Sequence, residues 1–292
     1  MSVPLLHRTL LDAASRAALA GVLADPTFEL LPVRSIDGQL AALPAGASVS
    51  VTASPSKGPE ATVELAARLA AAGFRAVPHL AARSVRDRAH LRTLLTRLAD
   101  AGLDRIFLVG GDALEPGEFP DGLALLRAMA DAGSLPTEIG IPCYPDGHGF
   151  IADEAIAAAL RDKAPFASYM TTQMCFDAAL ISRWIADRRR EGLALPVVIG
   201  IPGVTEPHRL LAISARIGVR DTRRFLAKNL ALLRRLVRSG GFYRPAGLLE
   251  RLGPTLADPA MQVRGIHLYT FNSVAATEGW RVSYLERLAQ RR

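Results

Sequence analysis

The chain has 292 residues, half of them hydrophobic, and 35 Lys and Arg against 28 Asp and Glu give a net charge of +7. A chain this long can bury a sizeable core, and no run approaches the roughly 18–20 uncharged apolar residues that a membrane span requires. Two cysteines, Cys143 and Cys175, rule out a disulfide framework, and no CxxC pair points to zinc.

The opening stretch, MSVPLLHRTLLDAASRAALAGVLADP, reads as an amphipathic helical extension over residues 1–26. It lacks the apolar block and small-residue cleavage site of a secretory signal, so a cytoplasmic protein is the simplest reading. Eight β-rich runs follow: Thr27–Val33, Ser48–Ala53, Arg75–Leu80, Arg105–Gly110, Glu138–Tyr144, Ser168–Gln173, Pro196–Ile201 and Gly265–Phe271. Several are almost continuously apolar, as strands covered on both faces should be. Amphipathic stretches separate them, among them Pro59–Ala72, Val85–Ala101, Asp153–Lys163 and Asp177–Glu191. Gly73, Gly102, Gly133 and Gly192 stand just past helices, where a left-handed cap is expected.

Strand and helix in alternation give parallel strands with crossover helices, and eight such units close a (β/α)8 TIM barrel. The whole of 1–292 is read as one such catalytic domain. A doubly wound open sheet is the competing architecture, but it usually carries a glycine-rich turn after its first strand, where this chain has Pro32-Val33-Arg34. The regularity breaks over Thr205–Gly253, which holds about three helical segments before the last strand. The helix ahead of the first strand is expected to plug the barrel floor.

Arginine accounts for most of the charge excess, in clusters such as Arg188-Arg189-Arg190, Arg223-Arg224 and Arg234-Arg235. These read as solvated helix faces, with attraction of an anionic substrate as the next reading. No nucleic-acid-binding module accompanies them.

Barrel enzymes carry their chemistry at the carboxyl ends of the strands. Those positions here hold Glu29, Ser54 and Lys57, His79, Asp112, Tyr144 and His148, Gln173 and Asp177, and Asn272. Glu29 is the sharpest signal, because a carboxylate inside Phe28-Glu29-Leu30-Leu31-Pro32 is costly without partners and suits a general acid. Its plainer reading is a structural ion pair. Asp112 follows two glycines that let backbone approach a ligand, or it is a turn aspartate. Gln173 suits recognition of a heterocycle edge, or it caps its own loop. His79 is a ligand contact or a core histidine, and the two cysteines read as small buried hydrophobes. No metal-ligand spacing or nucleophile elbow is present.

Taken in order, these motifs resemble the methylenetetrahydrofolate reductase family. The resemblance is carried by Phe28–Pro32, Val51-Thr52, Val77-Pro78-His79-Leu80, Gly111-Asp112, Tyr144–His148, Thr172–Asp177 and His267–Asn272, and so runs over nearly the whole chain. It implies a barrel that reduces methylenetetrahydrofolate to methyltetrahydrofolate, in one-carbon metabolism and methionine biosynthesis, with FAD and NAD(P)H. It implies Glu29 as catalytic acid, Asp112 at both flavin and substrate, and Gln173 and Tyr269 at the pterin. Thr52, His79, Gly111, Tyr144, His148 and Lys163 are implied on the cofactor side. The departures are Gly110 for a phosphate-contacting arginine, Val33 for a second proline, Leu30-Leu31 for a double phenylalanine, and an offset at Lys163. They mark a divergent branch in which FAD is held weakly, or in which hydride passes directly from NAD(P)H.

The expected partners are a reduced folate and NAD(P)H, with no nucleic acid and no membrane, and a homo-oligomer is compatible with this reading. Two other functions stay open: a pterin-dependent methyltransferase using the same carboxylates, and a non-catalytic folate- or flavin-binding barrel.

Overall fold

The computed structural model describes residues 11–33, 36–54, 56–206 and 242–290. Eight strands form a closed barrel in sequence order: β1 Thr27–Leu30, β2 Ser48–Val51, β3 Arg75–Ala81, β4 Arg105–Val109, β5 Glu138–Cys143, β6 Tyr169–Thr172, β7 Val197–Pro202 and β8 Val263–Tyr269. All neighbours are parallel, and β8 closes the ring on β1 through Thr27↔His267, Phe28↔Leu268 and Glu29↔Tyr269. The eight-unit TIM barrel anticipated from the alternation is the fold.

The helices are α1 Ala13–Ala24, α2 Asp37–Leu40, α3 Gly58–Ala71, α4 Arg88–Asp100, α5 Gly122–Asp131, α6 Asp153–Lys163, α7 Ala178–Arg190, α8 Ala246–Ala257 and α9 Val274–Gln290. Four start on an aspartate whose side chain accepts from the first turn: Asp12, Asp87, Asp121 and Asp177 do so for α1, α4, α5 and α7. Gly73, Gly102, Gly133 and Gly192 adopt positive φ past four helix ends, as their spacing implied. The expected strands run longer at several ends than the observed ones; β1 stops at Leu30, where Asn272 takes over the backbone bonding of Leu31.

Strand alternation divides the core into two layers. Phe28, Leu30, Val49, Val51, Ile106, Leu108, Ile139, Ile141, Ile199 and Ile201 face the helices and are essentially sealed from solvent. The paired registers put Glu29, Ser50, His79, Phe107, Gly140, Thr171, Gly200, His267 and Tyr269 on the other side, in the lumen. Two lumen glycines are there for space. A Cβ at Gly140 would lie 2.6 Å from Phe107 Cδ2, and one at Gly200 would lie 2.7 Å from Tyr269 Cε2.

The floor is filled by strand-start side chains. Glu138 pairs with Arg105 at 3.2 Å and with Arg264 at 2.6 Å, and Arg264 lies over the Tyr169 ring. The initial helix is therefore not the plug. It packs beside α8 and α9, where Gly253 meets Ser15 and the half of Arg281 not paired with Glu278 donates to Leu23 O at 2.7 Å. Of the irregular stretch before β8, α8 is the described helical part; residues 207–241, with Arg223-Arg224 and Arg234-Arg235, lie outside the described residues. Among the described residues no helix is long and apolar enough to cross a membrane.

Candidate active site

Glu29 and His267 meet in the lumen from adjacent strands. His267 Nε2 lies 3.2 Å from Glu29 Oε2, and only 6% and 13% of the two side chains is exposed. A carboxylate in an apolar strand needs a partner, and among the described residues His267 supplies it. The end of β8 also fixes the backbone around it. Thr270 Oγ1 donates to the Glu29 carbonyl oxygen, while Asn272 accepts from Leu31 N at 2.9 Å and donates to Leu31 O at 3.1 Å. Asn272 manages this with a left-handed backbone, φ 56°, which asparagine tolerates better than most residues. Expected among the working polar groups of the rim, it is instead a clasp between the two closing strands.

His79 stands near this pair on β3, with its ring 4.7 Å from Phe107 and its Nε2 without a partner among the described residues. Burial pushes its pKa down to about 4; Glu29 pulls it up and His267 adds to the depression, so the ring is neutral at pH 7. Ser50 Oγ and Thr171 Oγ1, also lumen-facing, are buried and unpartnered too. Such groups carry unused hydrogen-bonding capacity, which a polar ligand or ordered water satisfies.

Two expected substrate contacts are partly committed elsewhere. Tyr269 donates its hydroxyl to Thr172 O at 3.0 Å, and burial, then Glu29, raises its pKa well above the ordinary value. It offers a ligand its ring, 4.9 Å from that of His267. Gln173 Oε1 accepts from Met174 N at 2.8 Å and so caps its own loop, which leaves its amide N–H groups for recognition. Asp177 is the cap of α7.

Across the mouth, Tyr144, His148 and Phe150 stand edge to face at 5.1 and 4.4 Å, a ladder running from the half-buried Tyr144 ring to the exposed Phe150. Burial raises the Tyr144 pKa to about 12, with Cys143 and Asp112 adding to it. Among the described residues His148 Nδ1 is buried without a partner; burial lowers the pKa of the ring and Asp112 partly restores it. Asp112 itself lies on the exposed loop after β4. Gly111 must be glycine there, because at φ 89° a Cβ would come 2.9 Å from Ala81 Cβ.

Thr52 follows β2, with its carbonyl accepting from Thr62 Oγ1 at 3.3 Å. Lys163 is half-buried at the end of α6, its stem against the start of α5; burial lowers its pKa, and Asp121 and Cys143 oppose that. Among the described residues no group of three or more His, Cys, Asp or Glu is arranged to hold a metal.

Sequence reasoning named the last-strand motif but not His267 as the partner of Glu29. The signal was available: His267 and Tyr269 alternate on one face of a strand that must close on β1.

The site is therefore the lumen of a (β/α)8 barrel that holds a carboxylate–imidazole pair, with polar groups unpartnered among the described residues around it and aromatic rings at its mouth. The family model described as methylenetetrahydrofolate reductase matches residues 33–279, most of the chain, and the chain belongs to that family of folate-linked oxidoreductases. The match begins after Phe28–Pro32, so the placement of Glu29 rests on barrel geometry. A solved structure from Burkholderia cenocepacia J2315 that carries a phosphonomutase name is 13% identical, with a TM-score of 0.46 over 94% of this chain and 96% of that one. At that level it bears on neither ligand nor chemistry.

Proposed function

We propose that the protein reduces methylenetetrahydrofolate to methyltetrahydrofolate with NAD(P)H. The observation that carries this reading is the Glu29–His267 pair, enclosed in the lumen of a barrel of this family. The bridging carbon of the substrate must first become an iminium, which requires a proton on the ring nitrogen that leaves it. Glu29 supplies that proton from Oε2, and His267 Nε2, within hydrogen-bond reach, returns one afterwards. Hydride from the reduced nicotinamide then converts the iminium carbon to methyl and releases NAD(P)+. Asp112 favours the cationic intermediate electrostatically. The amide N–H groups of Gln173 and the Tyr269 ring orient the pterin.

A resident FAD needs a flat wall for its ring and cations for its diphosphate. The edge-to-face rings of Tyr144, His148 and Phe150 offer apolar surface towards the first need, and His79 Nε2 and His148 Nδ1, unpartnered among the described residues, offer it polar contacts. Among the described residues the candidates for the second are not free: Gly110 has no side chain, Arg83 is spent on backbone carbonyls, and burial and Asp121 act on Lys163. These described residues do not fit tightly held FAD. A nicotinamide dinucleotide that leaves after every turnover does not require a clamped diphosphate, so hydride transfer runs directly from it.

The test is NAD(P)H oxidation with methylenetetrahydrofolate by flavin-stripped protein, with and without added FAD, in the parent and in Glu29→Gln. Full activity without flavin and a loss of about 100- to 10,000-fold in Glu29→Gln are expected. Strict dependence on FAD would overturn the direct route. Methyl transfer to a thiol or corrinoid without NAD(P)H oxidation would overturn the reaction itself.

A further inference from the structure

Asp112 sits on residues 110–121, a connection with no helix or strand of its own, and no hydrogen bond among the described residues holds its carboxylate. Something else must fix where it stands. Arg83, in the short turn after β3, does so from the neighbouring connection. Its Nε donates to Ala113 O at 2.8 Å, Nη2 to Leu114 O at 3.2 Å and Nη1 to Pro120 O at 3.3 Å. Its backbone N donates to Gly110 O at 3.0 Å, and its carbonyl accepts from Gly117 N at 3.1 Å. One residue thus bonds to the loop at both ends and in the middle. Gly117 presses so closely on Val85 O and Arg86 that no side chain fits there, and Glu118 pairs with Arg88 at 3.2 Å.

We propose that Arg83 is a positioning residue that holds Asp112 over the barrel mouth by clamping the loop that carries it, and that it contacts neither substrate nor reductant. This rests on the folate-reducing reading of the site. A guanidinium is needed because its forked donors reach three carbonyls at once, which the compact ammonium of lysine cannot do. A loop released from such a clamp misplaces its functional group by an ångström or so, a displacement that costs up to about 100-fold in rate.

The experiment compares Arg83→Ala, Arg83→Lys, Asp112→Asn and the double variant Arg83→Ala/Asp112→Asn. Amide hydrogen exchange over residues 110–121 should quicken in Arg83→Ala while exchange in the barrel strands stays unchanged. In the folate assay, Arg83→Ala and Arg83→Lys should both lose about tenfold or more in kcat/KM, and added guanidinium should restore part of the loss to Arg83→Ala. The double variant should be little worse than Asp112→Asn, because an arginine acting through Asp112 has nothing left to position. Additive losses, or unchanged kcat/KM in a loop that exchanges faster, would overturn the proposal. If the parent shows no folate turnover, the reaction reading fails, and the exchange measurement alone still decides whether Arg83 clamps the loop; unaltered exchange in Arg83→Ala refutes it.

Discussion

Replacing His267 asks whether Glu29 works alone. The two side chains share one hydrogen bond of 3.2 Å between Nε2 and Oε2, nine-tenths removed from water on the histidine side. A hydrogen bond to a charged group in such a place is worth about 1.5–3 kcal/mol net, or roughly 10- to 100-fold in a rate that depends on it. His267→Ala removes both the orientation of Glu29 and the route by which its proton is replaced. His267→Gln keeps an amide donor near the position of Nε2 and so keeps the orientation, but an amide cannot relay a proton. Both variants should therefore fall by about 10- to 100-fold in kcat, and each should add little to the loss already caused by Glu29→Gln, since groups that act as a unit are strongly non-additive. Steady-state NAD(P)H oxidation across pH, with circular dichroism to verify folding, measures this. If His267→Gln retains the parent rate while His267→Ala does not, His267 only orients Glu29. If both keep the parent rate, the pair has no part in turnover.

Buried and neutral with a pKa near 4, His79 makes the unfolded chain take up a proton that the folded chain refuses as pH falls below about 6.5. Stability should be unaffected by this residue above pH 6.5 and should decline by about 3 kcal/mol towards pH 4; urea titrations should show that pH dependence in the parent and not in His79→Gln. Gly140→Ala should destabilise the barrel by about 1–3 kcal/mol, because its Cβ would enter the space of Phe107 and the Tyr169 ring; unchanged urea stability would show that the lumen has slack. Asn272→Ala removes both bonds to Leu31 and puts alanine at positive φ, so it should cost about 2 kcal/mol and lower kcat as well, and loss of stability with full activity would separate the clasp from the site.

The barrel was legible because each βα unit repeats its own local signal. Runs such as Ile106-Phe107-Leu108 are apolar on both faces, and Gly73, Gly102, Gly133 and Gly192 mark where helices stop. Strand ends were less legible. β8 begins at Val263 rather than Gly265, where its register shifts against β7 and Val197 pairs with Val263. Glu29 stood out because a lone carboxylate in an apolar strand demands a partner. Which partner it takes is a matter of closure between residues 238 positions apart, and no local pattern encodes that. For the same reason Asn272 looked like a free polar group, since a backbone bond formed by a side chain leaves no mark in composition, whereas the loop cap of Gln173 was one of the two readings its position offered. The clamp made by Arg83 is equally silent in the sequence, because only the path of residues 110–121 brings their carbonyls to its donors.

Closure and chemistry are tied to the same few residues. β8 completes the sheet by pairing with β1, and His267 within it and Thr270 and Asn272 just past its end bond in turn to the Glu29 side chain, the Glu29 carbonyl and the Leu31 backbone. The proposed acid is therefore held at the seam of the barrel, on a strand of only four residues that could not fix it unaided. The aromatic wall and the Asp112 loop sit across the mouth on β4 and β5, where exposed connections can be altered without disturbing the seam. On the proposed reading, the loss of the arginine expected at Gly110 weakens the grip on a bound dinucleotide and leaves the Glu29–His267 geometry untouched. On that reading a change of hydride donor alters only the exposed connections, whereas a change of reaction would have to alter the seam itself.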